Sequence, residues 1–315
     1  MLPLYCPSCK SKLVAVGNDS HCEKCSKTWV RRHGLISFVD NPDADGHLSG
    51  EKWEEFFSNI THKTNKEIQD YLSSRQIKER GEYFNSFKNN KADCFSFLNV
   101  THQDVILDAG CGLGSWTIPL AKQCKEVYAL DPTLDRLRFL EIRKKNEKLE
   151  NIILLHTSLM NLPFREPCFD YVLMNEMPED IGTRKEKADA KDRLSRRLEI
   201  IYKLLKEKGQ IVMAGENKYG FDFLFKAGDC RHSYNDYRNM LAKAGFRDVE
   251  FYYVWPDYRD PKYIFAEKDR HIFKYFLKHF VKQTAGRFEY MFFQLAHKFG
   301  WEKQFVSNFI ITGNK

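Results

Sequence analysis

The 315-residue chain lacks a long hydrophobic run, and no apolar stretch approaches the ~18 residues that are needed to cross a bilayer. Its first residues also lack the basic start and the apolar core that are typical of a signal peptide. We therefore expect no transmembrane segment and a cytoplasmic protein. In such a compartment, the nine cysteines indicate metal binding or buried thiols rather than disulfides.

A strong charge of one sign is also missing. The formal net charge of +7 is a mild basic bias, compatible with nucleic acid, anionic lipid or a phosphorylated substrate. No basic stripe stands out, since Arg143-Lys144-Lys145 lies among acidic residues on a predicted helix surface. A solubilising surface is therefore the simplest interpretation of the charge.

Two Cys-x-x-Cys pairs lie in the first 25 residues, Cys6-Pro7-Ser8-Cys9 and Cys22-Glu23-Lys24-Cys25. This spacing is typical of a zinc ribbon, in which four thiolates surround one tetrahedral Zn²⁺. Four sulfur ligands leave no open position, so we predict a structural and not a catalytic metal in a unit that covers residues 1–40. The alternative is a set of free or redox-active thiols.

A glycine-rich turn follows the apolar run at residues 105–109, but it lacks the third glycine of a dinucleotide fingerprint, because position 115 is serine. Asp108 directly precedes the turn, and its carboxylate would repel a pyrophosphate and attract an ammonium group. Asp131 ends the next apolar run, where a carboxylate can accept ribose hydroxyls. A ligand with an amino-acid end and a ribose but no phosphate fits these charges, and S-adenosylmethionine is such a ligand.

At these motifs the sequence resembles the class I S-adenosylmethionine-dependent methyltransferases, of the type 11/12-like kind. The resemblance rests on residues 107–114, 129–132, 161–164 and 169–174, in the order that the family has them, and it covers about residues 100–255. It implies an α/β fold with a doubly wound, mostly parallel, seven-stranded Rossmann-like sheet. The cofactor-binding residues that it implies are Asp108, Gly110, Cys111, Gly112, Gly114, Asp131, Pro132, Ser158, Leu159, Asn175 and Tyr83.

Two of these residues, Ser158 and Tyr83, leave more than one interpretation open. Ser158 stands where many family members have an acid that binds the adenine amino group, so adenine would be held by the serine oxygen or by backbone groups and Leu159. Tyr83 lies in residues 41–100, a linker followed by helices that in the family often close over the methionine end. Tyr83 is therefore either a lid residue or part of the ordinary core.

The methyltransferase domain is predicted to cover residues 101–315, with strands at 104–109, 126–131, 151–156, 169–174, 209–215 and 249–254 and a last strand near 305–312. Gly209 and Gly245 are expected to end helices, and Ser233 to cap one. Residues 256–303 are predicted to be a helical insertion before the last strand. This insertion is a cap on the core, a lining for an apolar acceptor pocket, or a site of peripheral membrane contact through residues 270–300.

If the methyl acceptor is a hydroxyl, a base assists the transfer by taking its proton. The candidates are Glu176, which follows the fourth strand of the domain, and His232, which precedes the next helix. Residues 175–178 lack the Asn/Asp-Pro-Pro-aromatic motif of enzymes that methylate adenine amines.

Residues 215–220 and 252–258 look like segments of methyltransferases that act in glycan and secondary-metabolite biosynthesis. We therefore predict O-methylation of a small molecule or a glycan intermediate. One alternative is an rRNA or tRNA methyltransferase that binds RNA through the ribbon. Another is a non-catalytic binding module that uses the ribbon as a protein-docking surface.

Overall fold

The computed structural model describes residues 2–39, 52–74, 97–165, 167–174, 186–221, 232–258, 261–282 and 287–315. The chain forms two compact units: the first contains residues 1–175 and 203–209, and the second contains residues 176–202 and 210–315. None of the helices in the described ranges combines the length and the apolar character that a membrane crossing requires.

The N-terminal cysteine pairs lie on a small antiparallel sheet in the first unit. Its strands are β1 (Val14–Val16), β2 (Asp19–His21) and β3 (Thr28–Trp29), in the order β1-β2-β3. Each cysteine pair is followed by one residue in the left-handed conformation, Lys10 (φ +58°) and Ser26 (φ +56°). The two cysteine turns therefore have the same backbone geometry, as a pair of metal knuckles requires.

The main sheet of the first unit is built from buried apolar strands. Its order is β9-β6-β7-β8-β5-β4, with β6 (Val105–Ala109), β7 (Glu126–Asp131), β8 (Ile152–His156) and β9 (Phe169–Met174). Strand β6 is parallel to both β7 and β9, so the direction of winding reverses at β6. In open α/β sheets, ligands bind at the carboxyl ends of the strands near such a reversal.

The last two strands of this sheet come from the N-terminal segment. Strands β4 (Arg31–Arg32) and β5 (Leu35–Ser37) form a hairpin, and β5 pairs with β8 in parallel. The structure thus differs from the predicted boundary at residue 40, which treated residues 1–40 as a separate unit. The reason is the apolar run Leu35, Ile36 and Phe38, which is fully buried here as in other parallel strands.

In its described residues, the first unit has four helices: α1 (Lys52–Ile60), α2 (Asn65–Ser74), α3 (Thr117–Ala121) and α4 (Leu134–Asn146). Helices α1 and α2 present their buried face to Leu113 of the glycine turn and to Phe139 and Ile142 of α4. The helical segment that was expected between residues 41 and 100 therefore packs, in its described part, against the turn that carries the cofactor motif.

The second unit contains an antiparallel sheet of order β12-β11-β13-β10. Strand β13 (Asn308–Asn314) lies between β10 (Leu205–Glu216) and β11 (Arg247–Trp255), and β12 (Tyr263–Ala266) pairs with β11. With β6 to β9 in the first unit, all seven predicted strands are present, and the Rossmann-like methyltransferase fold class is confirmed.

Helix α5 (Glu186–Leu204) leads directly into β10, and α6 (Tyr234–Ala244) precedes β11. Ser233 caps α6 through a reciprocal pair of bonds with Asp236, and Gly245 ends it with φ +101°, as predicted. The prediction for Gly209 was wrong: α5 ends at Leu204, and Gly209 lies inside β10. Apolar spacing alone did not locate the point where the strand replaces the helix.

The predicted helical insertion contains one strand as well as helices. After β12 come α7 (Arg270–Phe276), a π-helical turn (Leu277–Val281), α8 (Arg287–Phe299) and the short α9 (Glu302–Phe305). Trp255 of β11 contacts Phe276 and Phe293 of this cap, with ring centroids 5.8 and 5.9 Å away. The cap is therefore joined to its sheet through aromatic packing.

Candidate cofactor site

The glycine turn after β6 is held against the end of β7. The backbone N–H groups of Gly110 and Cys111 both donate to the carbonyl of Leu130, each at 2.9 Å. Gly110, Gly112 and Gly114 all have positive φ angles, +80°, +53° and +78°. A side chain at any of the three would strain the backbone.

Two of these glycines have different surroundings. A Cβ atom at Gly114 would lie 2.2 Å from Cδ1 of Leu140, whereas one at Gly112 would meet nothing within 4 Å. Gly114 therefore allows α4 to approach the turn, and Gly112 leaves open space beside the backbone. A ligand can approach the turn closely at Gly112.

Asp131 joins the turn to the start of α4. Its Oδ2 accepts the Gly112 N–H at 2.9 Å, and its Oδ1 accepts the Thr133 N–H at 2.8 Å. Burial raises the pKa of this carboxyl, and the Thr133 N–H opposes that shift. Because each carboxylate oxygen has a second lone pair, both can still accept a hydroxyl proton from a ligand.

Asp108 is the more unusual of the two acids. The Thr117 hydroxyl donates to its Oδ2 at 2.6 Å, while its buried Oδ1 has no hydrogen-bond partner among the described residues. Burial, together with the nearby charge of Asp131, raises the pKa of Asp108 to about 7. A cationic ligand group at Oδ1 would satisfy this oxygen and favour the ionised form, which fits the predicted ammonium contact.

Arg143, which was predicted to lie on a helix surface, holds the glycine turn at Leu113. Nη1 of Arg143 donates to the carbonyl of Leu113 at 2.5 Å, and burial lowers the pKa of this guanidinium to about 10. The prediction of a solvent-exposed Arg143 was wrong, since it lies one helical turn beyond Phe139, on the buried face of α4.

Helix α1 is tied to the same helix by a charged contact. Arg138 of α4 donates to both carboxylate oxygens of Glu54, at 2.6 and 3.1 Å, and its guanidinium lies 4.2 Å from the ring centre of Phe57. These contacts fix α1 next to the cofactor turn. Tyr83, the predicted lid residue, lies outside the described residues, as do Asn175 and Glu176.

The loop after β8 contains the predicted adenine contacts. Leu159 is buried and Ser158 is half-buried, and the backbone N–H of Asn161 donates to the carbonyl of Ser158 at 3.0 Å. Thr157 closes the loop, because its hydroxyl donates to the carbonyl of Asn161 at 2.8 Å. The loop follows the strand next to the one that ends in Asp131, as a pocket for a nucleoside requires.

Pro132 and Cys111, two further predicted contacts, differ in exposure. Pro132 is exposed, and its carbonyl lies 3.1 Å from Nε2 of His156. Cys111 is buried, and burial holds the pKa of its thiol well above the usual range. Cys111 is therefore a neutral apolar contact rather than a nucleophile. That these residues bind the cofactor stays a prediction.

His232, one of the two predicted bases, lies in the second unit and is buried, with 1% of its surface exposed. Its ring centroid is 5.4 Å from that of Tyr237, and its carbonyl accepts the Lys218 N–H at 2.8 Å. Its role as a base stays a prediction.

The four cysteines of the predicted zinc ribbon lie close together. The Sγ atoms of Cys6, Cys9, Cys22 and Cys25 all lie within 4.8 Å of one another. The Cys9–Cys22 and Cys6–Cys25 pairs are 3.3 and 3.6 Å apart, close to the about 3.8 Å that four sulfurs at 2.3 Å from one zinc ion would have. The backbone N–H and the hydroxyl of Ser11 lower the pKa of Cys9 to about 6, whereas burial and the neighbouring cysteines raise the pKa of Cys25.

Comparison with known proteins agrees with this geometry. Residues 106–209 match the model of a family described as "Methyltransferase domain". The demethylmenaquinone methyltransferase of Geobacillus sp. (strain WCH70) is 30% identical over 129 residues, which are 39% of this chain and 49% of the relative. That of Staphylococcus saprophyticus subsp. saprophyticus is 30% identical over 151 residues, 45% of this chain and 59% of the relative. The chain thus spans about half the length of the curated relatives it matches.

A solved structure gives a further likeness. Phosphoethanolamine N-methyltransferase 2 of Haemonchus contortus in complex with S-adenosyl-L-methionine is 16% identical, with a TM-score of 0.47, over 84% of this chain and 60% of that chain. The family match covers the segment that carries the glycine turn, Asp108 and Asp131. This segment is therefore similar to a methyltransferase domain, and its motifs resemble those of the class I S-adenosylmethionine-dependent methyltransferases.

Proposed function

We propose that this protein transfers a methyl group from S-adenosylmethionine to a small-molecule acceptor. The observation that carries the proposal is the pair of buried acids, Asp108 and Asp131, beside a glycine turn that is open at Gly112. The unsatisfied Oδ1 of Asp108 calls for a positive ligand group, and S-adenosylmethionine carries an ammonium.

The roles of the residues follow from their positions. Asp108 would hold the amino-acid end, the backbone at Gly112 would lie against the ligand, and Asp131 would accept the ribose hydroxyls. Ser158 and Leu159 would hold the adenine. When bound, S-adenosylmethionine supplies a methyl group on an activated sulfonium, so the protein mainly aligns the acceptor and excludes water.

For the acceptor, we propose an oxygen of a small molecule or a glycan intermediate. The relatives named demethylmenaquinone methyltransferase support a small molecule over RNA. Glu176 or His232 would take the proton of the acceptor hydroxyl. In the ribbon, Cys6, Cys9, Cys22 and Cys25 would hold a structural Zn²⁺.

The proposal is tested by calorimetric titration of S-adenosylhomocysteine into the wild type and the Asp131→Ala variant. We expect the variant to lose at least ~1.5 kcal/mol of binding free energy, because charge-assisted bonds to the ribose are lost. Asp70→Ala, which removes an exposed acid on α2, is the matched control and should bind like the wild type. A wild type that does not bind this nucleoside would refute the proposal and revive the non-catalytic binding module.

The acceptor class is tested separately, with a radiolabelled methyl group on the donor and a cell extract as the source of acceptors. We expect the label in small organic molecules. Label that is recovered in RNA, and is lost after ribonuclease treatment, would favour the RNA methyltransferase instead.

A further inference from the structure

Strand β5 continues past its last residue into contact with the loop at residues 156–161, which we call the cofactor loop. Ser37 pairs with His156 in the parallel ladder, and the Phe38 N–H donates to the carbonyl of His156 at 2.8 Å. A side chain of the loop makes a second hydrogen bond to the same residue, since Nδ2 of Asn161 donates to the carbonyl of Phe38 at 2.6 Å. The N-terminal segment therefore holds both ends of the cofactor loop.

A buried side-chain bridge lies beside these backbone bonds. His156 is fully buried, with its Nδ1 3.0 Å from the Ser37 hydroxyl and its Nε2 3.1 Å from the Pro132 carbonyl. A carbonyl can only accept, so Nε2 carries the proton and donates to it. In the neutral ring, Nδ1 then accepts the proton of Ser37.

This bridge joins the carboxyl ends of three neighbouring strands, β5, β8 and β7. Pro132 directly follows Asp131, the proposed ribose acceptor, and His156 lies two residues before Ser158, the proposed adenine contact. Breaking the bridge at Ser37 would therefore loosen two parts of the nucleoside pocket without removing any residue that touches the nucleoside.

The same strand is attached to the cysteine cluster. The Ser37 N–H donates to the carbonyl of Val30 at 2.9 Å, and the rings of Phe38 and Trp29 are 5.5 Å apart. Trp29 is buried and lies on β3, four residues after Cys25. The cysteine cluster fixes the turn that leads into Trp29, so we expect the order of this packing to depend on the metal of the cluster.

We propose that Ser37 and His156 are positioning residues for the nucleoside pocket, through which zinc in the ribbon and the nucleoside at the glycine turn strengthen each other's binding. The proposal rests on the proposed function, since it assumes that a nucleoside of the S-adenosylmethionine type binds at the turn. Coupling of this kind is reciprocal, because each ligand must change the affinity for the other by the same factor.

Two measurements on the full chain test the coupling. The first is the Kd for S-adenosylhomocysteine of zinc-loaded protein and of protein stripped by a chelator. The second is the zinc affinity, obtained by competition with a chromogenic chelator, with and without saturating S-adenosylhomocysteine. We expect zinc removal to raise the nucleoside Kd at least tenfold, and the nucleoside to tighten zinc binding by the same factor.

Single substitutions distinguish an effect on the nucleoside pocket from a loss of the folded zinc site. Ser37→Ala keeps the four cysteines, and we expect it to bind zinc with a full complement while the nucleoside Kd rises about fivefold, from the loss of one buried hydrogen bond. Ser37→Thr keeps the hydroxyl and should restore the Kd. Ser20→Ala removes a serine of β2, whose partner strands are β1 and β3, and should behave like the wild type.

The outcomes distinguish the two proposals. A wild type that binds the nucleoside equally well with and without zinc, or a Ser37→Ala variant with unchanged Kd, overturns the coupling and leaves the proposed function standing. A zinc-loaded wild type that does not bind the nucleoside overturns both.

Discussion

Two segments of the chain differ in how far their large apolar side chains are buried. They are the N-terminal segment with strands β1 to β5 and the C-terminal cap with helices α7 to α9. In the first, Trp29, Leu35, Ile36 and Phe38 are all buried, the most exposed at 4%. In the second, α8 buries Phe293 but leaves an apolar stripe that is 55–67% exposed, formed by Phe288, Met291, Leu295 and Phe299. These apolar side chains of the first segment are buried within its unit, whereas those of the stripe on α8 form an exposed apolar surface.

The charged residues of the C-terminal cap add to this contrast. Residues 270–299 contain six lysines and arginines and one acidic residue, Glu289. An apolar helix face among exposed lysines and arginines is typical of helices that lie on an anionic membrane surface. The predicted peripheral membrane contact through residues 270–300 therefore stays a prediction, now with a defined stripe that can be tested.

The largest expected effect is on the metal cluster. Cys22→Ser removes a buried cysteine of the proposed zinc site, and we expect the variant to lose its zinc and the ordered environment of Trp29, because structural zinc sites supply about 10 kcal/mol or more of folding free energy. Zinc content by atomic absorption and tryptophan fluorescence would report this loss. Cys124→Ser, a change at a buried cysteine outside the cluster, should keep its zinc.

A matched pair of phenylalanines tests the contrast in burial. Phe38→Ala should lower the free energy of unfolding by about 3–5 kcal/mol, because Phe38 is fully buried. Phe299→Ala should change it by less than about 0.5 kcal/mol, because Phe299 is 55% exposed. Urea unfolding of both variants is the measurement, and equal costs would show that the two segments do not differ as described.

The pH dependence of the free energy of unfolding tests the first unit, which contains the β4–β5 hairpin. Burial raises the pKa of Asp108 to about 7, above the about 3.9 of an unfolded chain, so the folded state binds more protons between these values. The stability that this group contributes is thus complete below pH 4 and is lost as the pH rises through 7.

Asp108→Asn isolates that contribution. We expect the difference in unfolding free energy between variant and wild type to grow from pH 4 to pH 7, by on the order of 1 kcal/mol per pKa unit. S-adenosylhomocysteine should reduce the growth if its ammonium lies at Oδ1. A difference that is the same at every pH would contradict the raised pKa.

The smallest expected effect is on vesicle binding by the cap. We expect the wild type to bind phosphatidylcholine vesicles only when they contain phosphatidylserine, and to be released by salt. Met291→Glu with Leu295→Glu should weaken this binding at least about tenfold, because two apolar contacts are replaced by charges that anionic lipid repels.

Gln294→Glu places a charge on the same helix and is the matched control, with a smaller expected loss. Flotation of vesicles with bound protein measures all three proteins. Equal binding to neutral vesicles, or a double variant that floats like the wild type, would contradict an anionic membrane as the partner of the stripe.

Much of the site could be predicted because its parts are close in sequence. The cysteine pairs, the glycine turn and the ends of α6 depend on residues that are neighbours along the chain. Their spacing alone indicates a knuckle, a close backbone approach or a cap. Asp131 could be placed because a strand that follows a short helix returns beside the first strand in such folds.

The remaining features depend on contacts between distant residues. Ser37 and His156 are 119 positions apart in the sequence, and no local pattern shows that β5 pairs with β8. Arg143 was expected at the surface because its neighbours are charged, although its spacing from Phe139 was a usable signal for the buried face. The strand β12 was missed because its four half-buried residues, between β11 and α7, give too short a pattern.

The pairing of β5 with β8 has a practical consequence for shortening this protein. Cutting the chain near residue 40 to remove the ribbon would take away β5 and leave Leu155 and His156 of β8 without their neighbours on that side. A bare, apolar strand at a sheet margin readily pairs with another copy of itself. A truncated protein that aggregates would therefore reflect the uncovered β8, and trimming should keep the hairpin from Arg31 onward.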